Sequence, residues 1–353
     1  MQEWKKRLDN LTKPIDPDQT ENAIALTSDL DDFNVELTDE VLVPILTHAG
    51  SSDDSQNRRS DIGQNPTGAS LTSIVCNTVP LNAKQRLVVE KVVTNLLICG
   101  GNPNGSSSRC QTLLYVGGEG GVGKSQVIKA IVAAMDLVDR KDEVILMAPT
   151  GAAADSIGGS TYHTSLGISL NRYRRGGVSP RVRRLWSRKT VMIIDEISMI
   201  DLAALSIINT HCKIARSLDR SSPDLFGGLP VVILMGDFHG QPLWKLPRND
   251  TEQDGKWIWN QFEQIIILDE QMRQVEDIPY RDLLGRARSG TLTVDDLATL
   301  NSKAISLLAD PQLQTSPAIV KLNSLRHVVN RLQIECFARA RRQRIFVFPA
   351  LHT

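Results

Sequence analysis

Gly117-Gly118-Glu119-Gly120-Gly121-Val122-Gly123-Lys124-Ser125 is the stretch whose residue types most plainly suit chemistry. Within it, Gly118, Gly123, Lys124 and Ser125 fit G-x-x-x-x-G-K-[ST], a pattern made for a polyphosphate. Gly118, Gly120, Gly121 and Gly123 let the backbone bend so that N–H groups, that of Val122 included, close around phosphate oxygens without Cβ clashes. A helix opening at Lys124 adds the partial positive charge of its N-terminus. Lys124 then meets the β- and γ-phosphates, and the Ser125 hydroxyl is a ligand for Mg²⁺. A nucleotide polyphosphate with Mg²⁺ is the ligand this pattern predicts.

Three further strand ends carry polar groups. Val191-Met192-Ile193-Ile194 runs into Asp195-Glu196. Such a site needs one carboxylate for the metal, here Asp195, and one beside the attacking water, here Glu196 as general base. Two acids in tandem favour hydrolysis over transfer to a small hydroxyl substrate. Asp237 follows Val231–Gly236, and Arg273 follows the apolar run 265–268, where a guanidinium suits transition-state charge on the γ-phosphate.

These residues need a common edge, and the apolar pattern supplies it. Leu113-Leu114-Tyr115-Val116 reads as a buried strand, and Val127, Ile128, Ile131, Val132, Met135 and Val138 recur at helical spacing. Helices are expected at 83–98, 124–139, from about 151, and at about 201–218. Strands are expected at 113–117, 144–148, 191–194, 231–235 and 265–268. Continuous apolar strands alternating with helices predict an α/β fold, a parallel sheet covered on both faces, with ligands at the strands' carboxyl ends.

Composition narrows the partners. The 353 residues carry no net charge, yet 14–57 holds 11 acids and no Lys or Arg, whereas 171–190 holds 8 basic residues and no acid. That basic run, Arg172 to Lys189, suits the phosphates of a nucleic acid. The five cysteines are scattered without a C-x-x-C pair, which speaks for a reducing compartment and against zinc. No run approaches a membrane span, and the N-terminus lacks a signal-peptide core. Residues 1–78 read as a separate acidic, largely disordered segment, with 51–70 as a polar linker.

In order, the motifs resemble the petite-integration-frequency (PIF) DNA helicases of superfamily one, especially forms carried by Helitron-type transposons. Leu81-Asn82-Ala83-Lys84-Gln85 resembles the family's Q-motif. Ala148-Pro149-Thr150-Gly151-Ala152-Ala153-Ala154 and Gly159-Ser160-Thr161-Tyr162-His163 resemble its DNA-side motifs. Ile194–Met199 is nearly its Walker B, Gly236-Asp237-Phe238 opens its motif three, and Leu268–Gln274 is similar to motif four. A P-loop kinase or AAA+ motor lacks the A-P-T-G-A-A-A and Q-M-R-Q pair.

The resemblance implies a RecA-like P-loop NTPase over 79–290, with 291–353 as a fragment of a second domain. It implies that Gln85 reads adenine, that Arg273 contacts the nucleotide, and that Pro149, Thr150, Gly151, Thr161 and His163 line a path for single-stranded DNA. It further implies ATP-driven translocation, roles in DNA repair, recombination and telomere maintenance, and a nuclear or mitochondrial location. Two departures stand out. The family's sensor glutamine and Pro-Pro are missing after Phe238-His239, and motifs of a second RecA-like domain are missing before Thr353. The expectation is therefore a chain that binds ATP–Mg²⁺ and single strands without unwinding by itself. The alternative is a transposon-derived remnant that binds nucleotide and DNA without turnover.

Overall fold

The computed structural model describes residues 67–98, 111–168, 178–238, 247–303 and 318–347. The acidic stretch 14–57, His239 and Gln241, and Arg172, Arg174 and Arg175 lie outside the described residues. So do Cys99 and Cys110. The described chain begins with α1 (Gly68–Cys76) and α2 (Ala83–Ile98), then β1 (Thr112–Gly118) and α3 (Lys124–Leu137). Next come β2 (Val144–Ala148), α4 (Gly151–Ser156), β3 (Ser160–Thr161), α5 (Tyr162–Leu166) and α6 (Pro180–Trp186). β4 (Val191–Ile194), α7 (Leu202–Ala215), β5 (Val231–Gly236), α8 (Asp250–Trp259) and β6 (Gln264–Leu268) follow, then α9 (Ile278–Ser289), α10 (Val294–Ser302) and α11 (Asn323–Ala340).

The six strands form one sheet in the order β3-β2-β4-β5-β1-β6, every pairing parallel. All their carboxyl ends therefore share one edge. The expected strands are all present, and β3 joins them as a two-residue addition too short to show in the apolar pattern.

Side chains alternate across a strand, so each buried strand feeds both faces. Leu114, Val116, Val191, Ile193, Val231, Ile233 and Met235 pack with α1, α2 and α3. Tyr115, Met192, Ile194, Val232 and Leu234 pack with residues of α6, α7 and α8 on the other face. The expected two-sided cover is thus what forms, because no register of such continuous apolar strands leaves a face suited to water.

The expected boundary at residue 78 is corrected. Helix α1 lies inside the stretch read as segment and linker, yet Leu71 and Val75 are fully buried against α2 and α3. Thr67 caps it, its hydroxyl accepting the Ser70 N–H at 3.1 Å while the Ser70 hydroxyl takes the Thr67 N–H at 2.9 Å. The small and polar residues that resembled a linker are a helix cap and a close approach: a Cβ on Gly68 would overlap Thr94.

One basic residue also moves out of the expected surface. Lys189 is buried, donating to the carbonyls of Asp142 at 2.6 Å and Val144 at 3.0 Å. Arg181, Arg184 and Arg188 stay exposed on and after α6.

Ile193 is the test of the central sheet, since it is wholly buried in the strand that delivers Asp195. Ile193→Ala should cost about 2–5 kcal/mol of unfolding free energy. Urea denaturation is the measurement, and a loss well under 1 kcal/mol would mean that β4 is not central.

Candidate functional site

The loop between β1 and α3 is held from outside by its carbonyls. The Gln271 amide Nε2 donates to Gly120 O at 2.9 Å, the Met272 backbone N–H to Gly121 O at 2.9 Å, and Gln85 Nε2 to Val122 O at 2.9 Å. A trans peptide is planar, so its C=O and the following N–H point opposite ways. Fixing those carbonyls outward aims the N–H groups of Gly121, Val122 and Gly123 into the loop's concave side. Gly121 and Gly123 sit at φ +96° and +82°, values that an L side chain resists. Space forbids side chains there as well: a Cβ on Gly121 would meet the Gln271 side chain, and one on Gly123 the Gln85 amide. Gly120 has open space around it and is held by neither constraint.

Two side chains of this site are buried beneath the loop. The Val122 side chain is wholly buried in the core, so it anchors the loop and leaves only its N–H for a ligand. Gln85, expected to face a base, lies beneath the loop with 1% of its surface exposed. Its Oε1 accepts the Asn82 N–H at 2.9 Å while its Nε2 holds Val122, so the amide joins α2 to the loop.

Lys124 lies back across the loop's start, donating to Gly118 O at 2.7 Å and Glu119 O at 3.0 Å. Those carbonyls are weaker partners than a phosphate would be, so the ammonium has a ready exchange for an incoming anion. Ser125 is exposed in the first turn of α3. Among the described residues no group of three or more His, Cys, Asp or Glu can hold a metal. Mg²⁺ suits the site on other grounds, since it takes one or two protein oxygens and completes its shell with phosphates and water. Ser125 and Asp195 fit that demand.

The sheet brings the carboxylates to the same edge. Asp195 follows β4 and is buried, its Oδ1 accepting the Glu196 N–H at 2.9 Å. Glu196 sits in left-handed backbone, φ 53° and ψ 41°, at the turn from β4 into the 3₁₀ segment Ile197–Met199. Such a conformation costs a non-glycine residue on the order of 1 kcal/mol or more. Gly236 permits it, because a Cβ there would come within 2.9 Å of the Ile197 side chain.

Burial raises the Asp195 carboxyl above the ordinary carboxylate range, with the Glu196 N–H and the charge of Lys124 opposing. Burial also raises Glu196, assisted by the charges of Asp195 and Asp237 and opposed by Lys124.

Asp237 has a partner with no signature in the sequence. Both its oxygens accept from Arg288 of α9, at 2.7 and 2.6 Å, and Arg288 also lies 3.7 Å from the Glu119 carboxylate. The only signal was a helix-end arginine, an ordinary feature of any helix. Asp237 thus stands in an ion pair at the site's rim, and its charge is felt at both Glu196 and Tyr115. Arg273 is brought beside Gly121, its Cβ 2.9 Å from where a Gly121 Cβ would stand.

The remaining candidates form a second group along the edge. β2 pairs with β3, so Pro149, Thr150 and Gly151 emerge next to Thr161 and His163. Thr150 and Thr161 are helix caps, accepting the N–H of Ala153 and of Thr164, each at 3.3 Å. The rings of Tyr162 and His163 stack on each other with centroids 3.9 Å apart, and burial lowers the His163 pKa. A neutral aromatic pair at a strand end is a stacking platform for a flat ligand.

The buried carboxylate sets a stability prediction. A carboxyl whose folded pKa exceeds its unfolded one costs stability once both states are ionised, and the cost fades as pH falls through the folded pKa. Asp195→Asn keeps the acceptor for the Glu196 N–H and removes the charge. It should melt higher than the parent at pH 7, with the advantage shrinking on acidification through the Asp195 pKa. Thermal melts across pH measure this, and a lower melting point at pH 7 would contradict it.

A family model described as PIF1-like helicase matches residues 81–283, from the start of α2 into α9. The chain is 28% identical over 270 residues to the ATP-dependent DNA helicase RRM3 of Saccharomyces cerevisiae, covering 73% of this chain and 32% of that protein. It is 26% identical over 273 residues to the ATP-dependent DNA helicase PIF1 of the same species, covering 75% and 29%. The chain therefore spans about a third of the length of these curated relatives. Among solved structures it is similar to the Pif1 helicase from Candida albicans, at 24% identity and TM-score 0.46, covering 69% of this chain and 50% of that one. With the family model matched across more than half of its residues, this chain belongs to the PIF1-like helicases.

Proposed function

We propose that this chain binds ATP–Mg²⁺ at the β1–α3 loop and couples its hydrolysis to movement along single-stranded DNA, as the ATPase part of an ATP-dependent helicase. The observation that carries the reading is the outward fixing of the Gly120, Gly121 and Val122 carbonyls, which leaves a row of N–H groups facing one cradle, with the charge of Lys124 acting on nearby Asp195 and Glu196. Mg²⁺, when bound, neutralises charge on the transferred phosphoryl group. The chain's own residues do the rest. Lys124 counters the β- and γ-phosphates, and Ser125 and Asp195 hold the metal. Glu196 takes a proton from the attacking water at its carboxylate, a role its raised pKa favours. Arg273 meets the γ-phosphate. The named activity of the two yeast relatives supports this reading.

Pro149, Thr150, Gly151, Thr161 and His163 then offer the path for the strand, with Tyr162 and His163 stacking against bases and the arginines of α6 meeting phosphates. Roles in DNA repair, recombination and telomere maintenance, and a nuclear or mitochondrial location, are part of the proposal.

Two substitutions separate binding from chemistry. Lys124→Ala should lose most affinity for a fluorescent ATP analogue, whereas Glu196→Gln should keep it and lose single-turnover hydrolysis. Unchanged affinity in Lys124→Ala would dismiss the loop as the nucleotide site.

The DNA interaction is tested by salt. Changing Arg181, Arg184 and Arg188 together to Ala should flatten the plot of log affinity for single-stranded DNA against log salt by about 2, at ~0.7 for each phosphate that is no longer neutralised. An unchanged slope would put the strand elsewhere.

A further inference from the structure

We propose that Gln271 is a positioning residue that ties the phosphate loop to Arg273, so that one side chain sets both the loop's shape and the approach of the arginine to a terminal phosphate. This rests on the reading of the loop as a nucleotide site. The geometry is specific to an amide. Gln271 Nε2 donates to Gly120 O at 2.9 Å, while its Oε1 accepts the Arg273 backbone N–H at 3.2 Å. The next residue repeats the link, with the Met272 N–H on Gly121 O at 2.9 Å.

Gly121 completes the fit. Its φ of +96° and missing Cβ leave room for the Gln271 side chain and the Arg273 Cβ in the place a larger residue would fill. Removing the amide donor frees the Gly120 peptide to rotate. Removing the acceptor loosens the Arg273 backbone over the loop, where its side chain is exposed. A carboxylate at this position keeps only the acceptor, and a thioether keeps neither. The glutamine therefore couples Arg273 to a loop carbonyl that lies 151 residues before the glutamine in the chain.

The consequence is selective. The loop contacts the phosphates shared by ADP and ATP, whereas Arg273 meets only the third. Gln271→Ala should therefore lower ATP affinity more than ADP affinity, narrowing the preference for ATP by about tenfold, the scale of one well-made hydrogen bond to a charged network.

The experiment is titration of the full chain with fluorescent ADP and a non-hydrolysable fluorescent ATP analogue in Mg²⁺, for the parent, Gln271→Ala, Arg273→Ala and the double variant. Gln271→Met is included because it keeps the bulk over Gly121 and neither polar atom, so a folding failure of the alanine variant leaves the test intact. If Gln271 acts through Arg273, Gln271→Ala should narrow the preference in the parent and not narrow it further in Arg273→Ala. Equal losses for the two nucleotides, or a full additive loss in the double variant, would overturn the coupling. A parent chain that binds neither nucleotide would overturn the underlying reading of the loop instead.

Discussion

A peptide unit cannot point its N–H toward a ligand unless its C=O finds a partner on the other side. That constraint governs the β1–α3 loop, and much of the described structure serves it. Helix α2 supplies the Gln85 amide, the segment after β6 supplies Gln271 and the Met272 N–H, and each takes one carbonyl of the loop. A hydrogen bond of this kind contributes only about 0.5–1.5 kcal/mol to stability. Its larger effect is orientational, since it makes the anion-binding shape the resting shape of the loop. The Q-motif region and the motif-four region are thereby structural supports of the phosphate site as well as candidates to touch its ligand.

The same edge concentrates charge that folding alone would avoid. Asp195, Glu196 and Asp237 gather where β4 and β5 end, two of them with raised pKa values and one in strained backbone. The cations are divided among them. Lys124 opposes the shifts at Asp195 and Glu196, and Arg288 pairs with Asp237. Lys124 is the cation an anionic ligand would draw away, while Arg288 is fixed by two short bonds. The cost is carried by a sheet packed on both faces, whose central strands β4 and β5 are buried at every position.

Much of this was legible in the sequence, and the reasons differ by element. The long strands and the helix at 83–98 showed because their apolar residues recur over whole elements, and periodicity is a sum over many positions. Lys124, Asp195 and Glu196 showed because each lies at a fixed step from a strand end. What stayed hidden depends on where a chain returns in space. Helix α1 looked like linker because its cap and its close-approach glycine use the same small residues that linkers use. Lys189 looked like one more exposed cation until β2 supplied carbonyls to cover it. Gln85 was found by its motif, but which way its amide faces depends on the loop it supports. Arg288 had no local signature, and Gln271 showed only as part of its motif, since their partners, Asp237 after β5 and Gly120 in the P-loop, lie far away in the chain.

The order of synthesis gives the sheet arrangement one more meaning. Strand β1 sits between β5 and β6, both of which lie far downstream of it. A nascent chain leaving the ribosome exposes the glycine-rich loop long before the strands that flank it exist, and long-range parallel pairing is slow to form. The outer wall of the cradle arrives only when Gln271 and Met272 have emerged. Until then the loop lacks two of its carbonyl partners, and a partly made chain carries the sequence of the site without its shape.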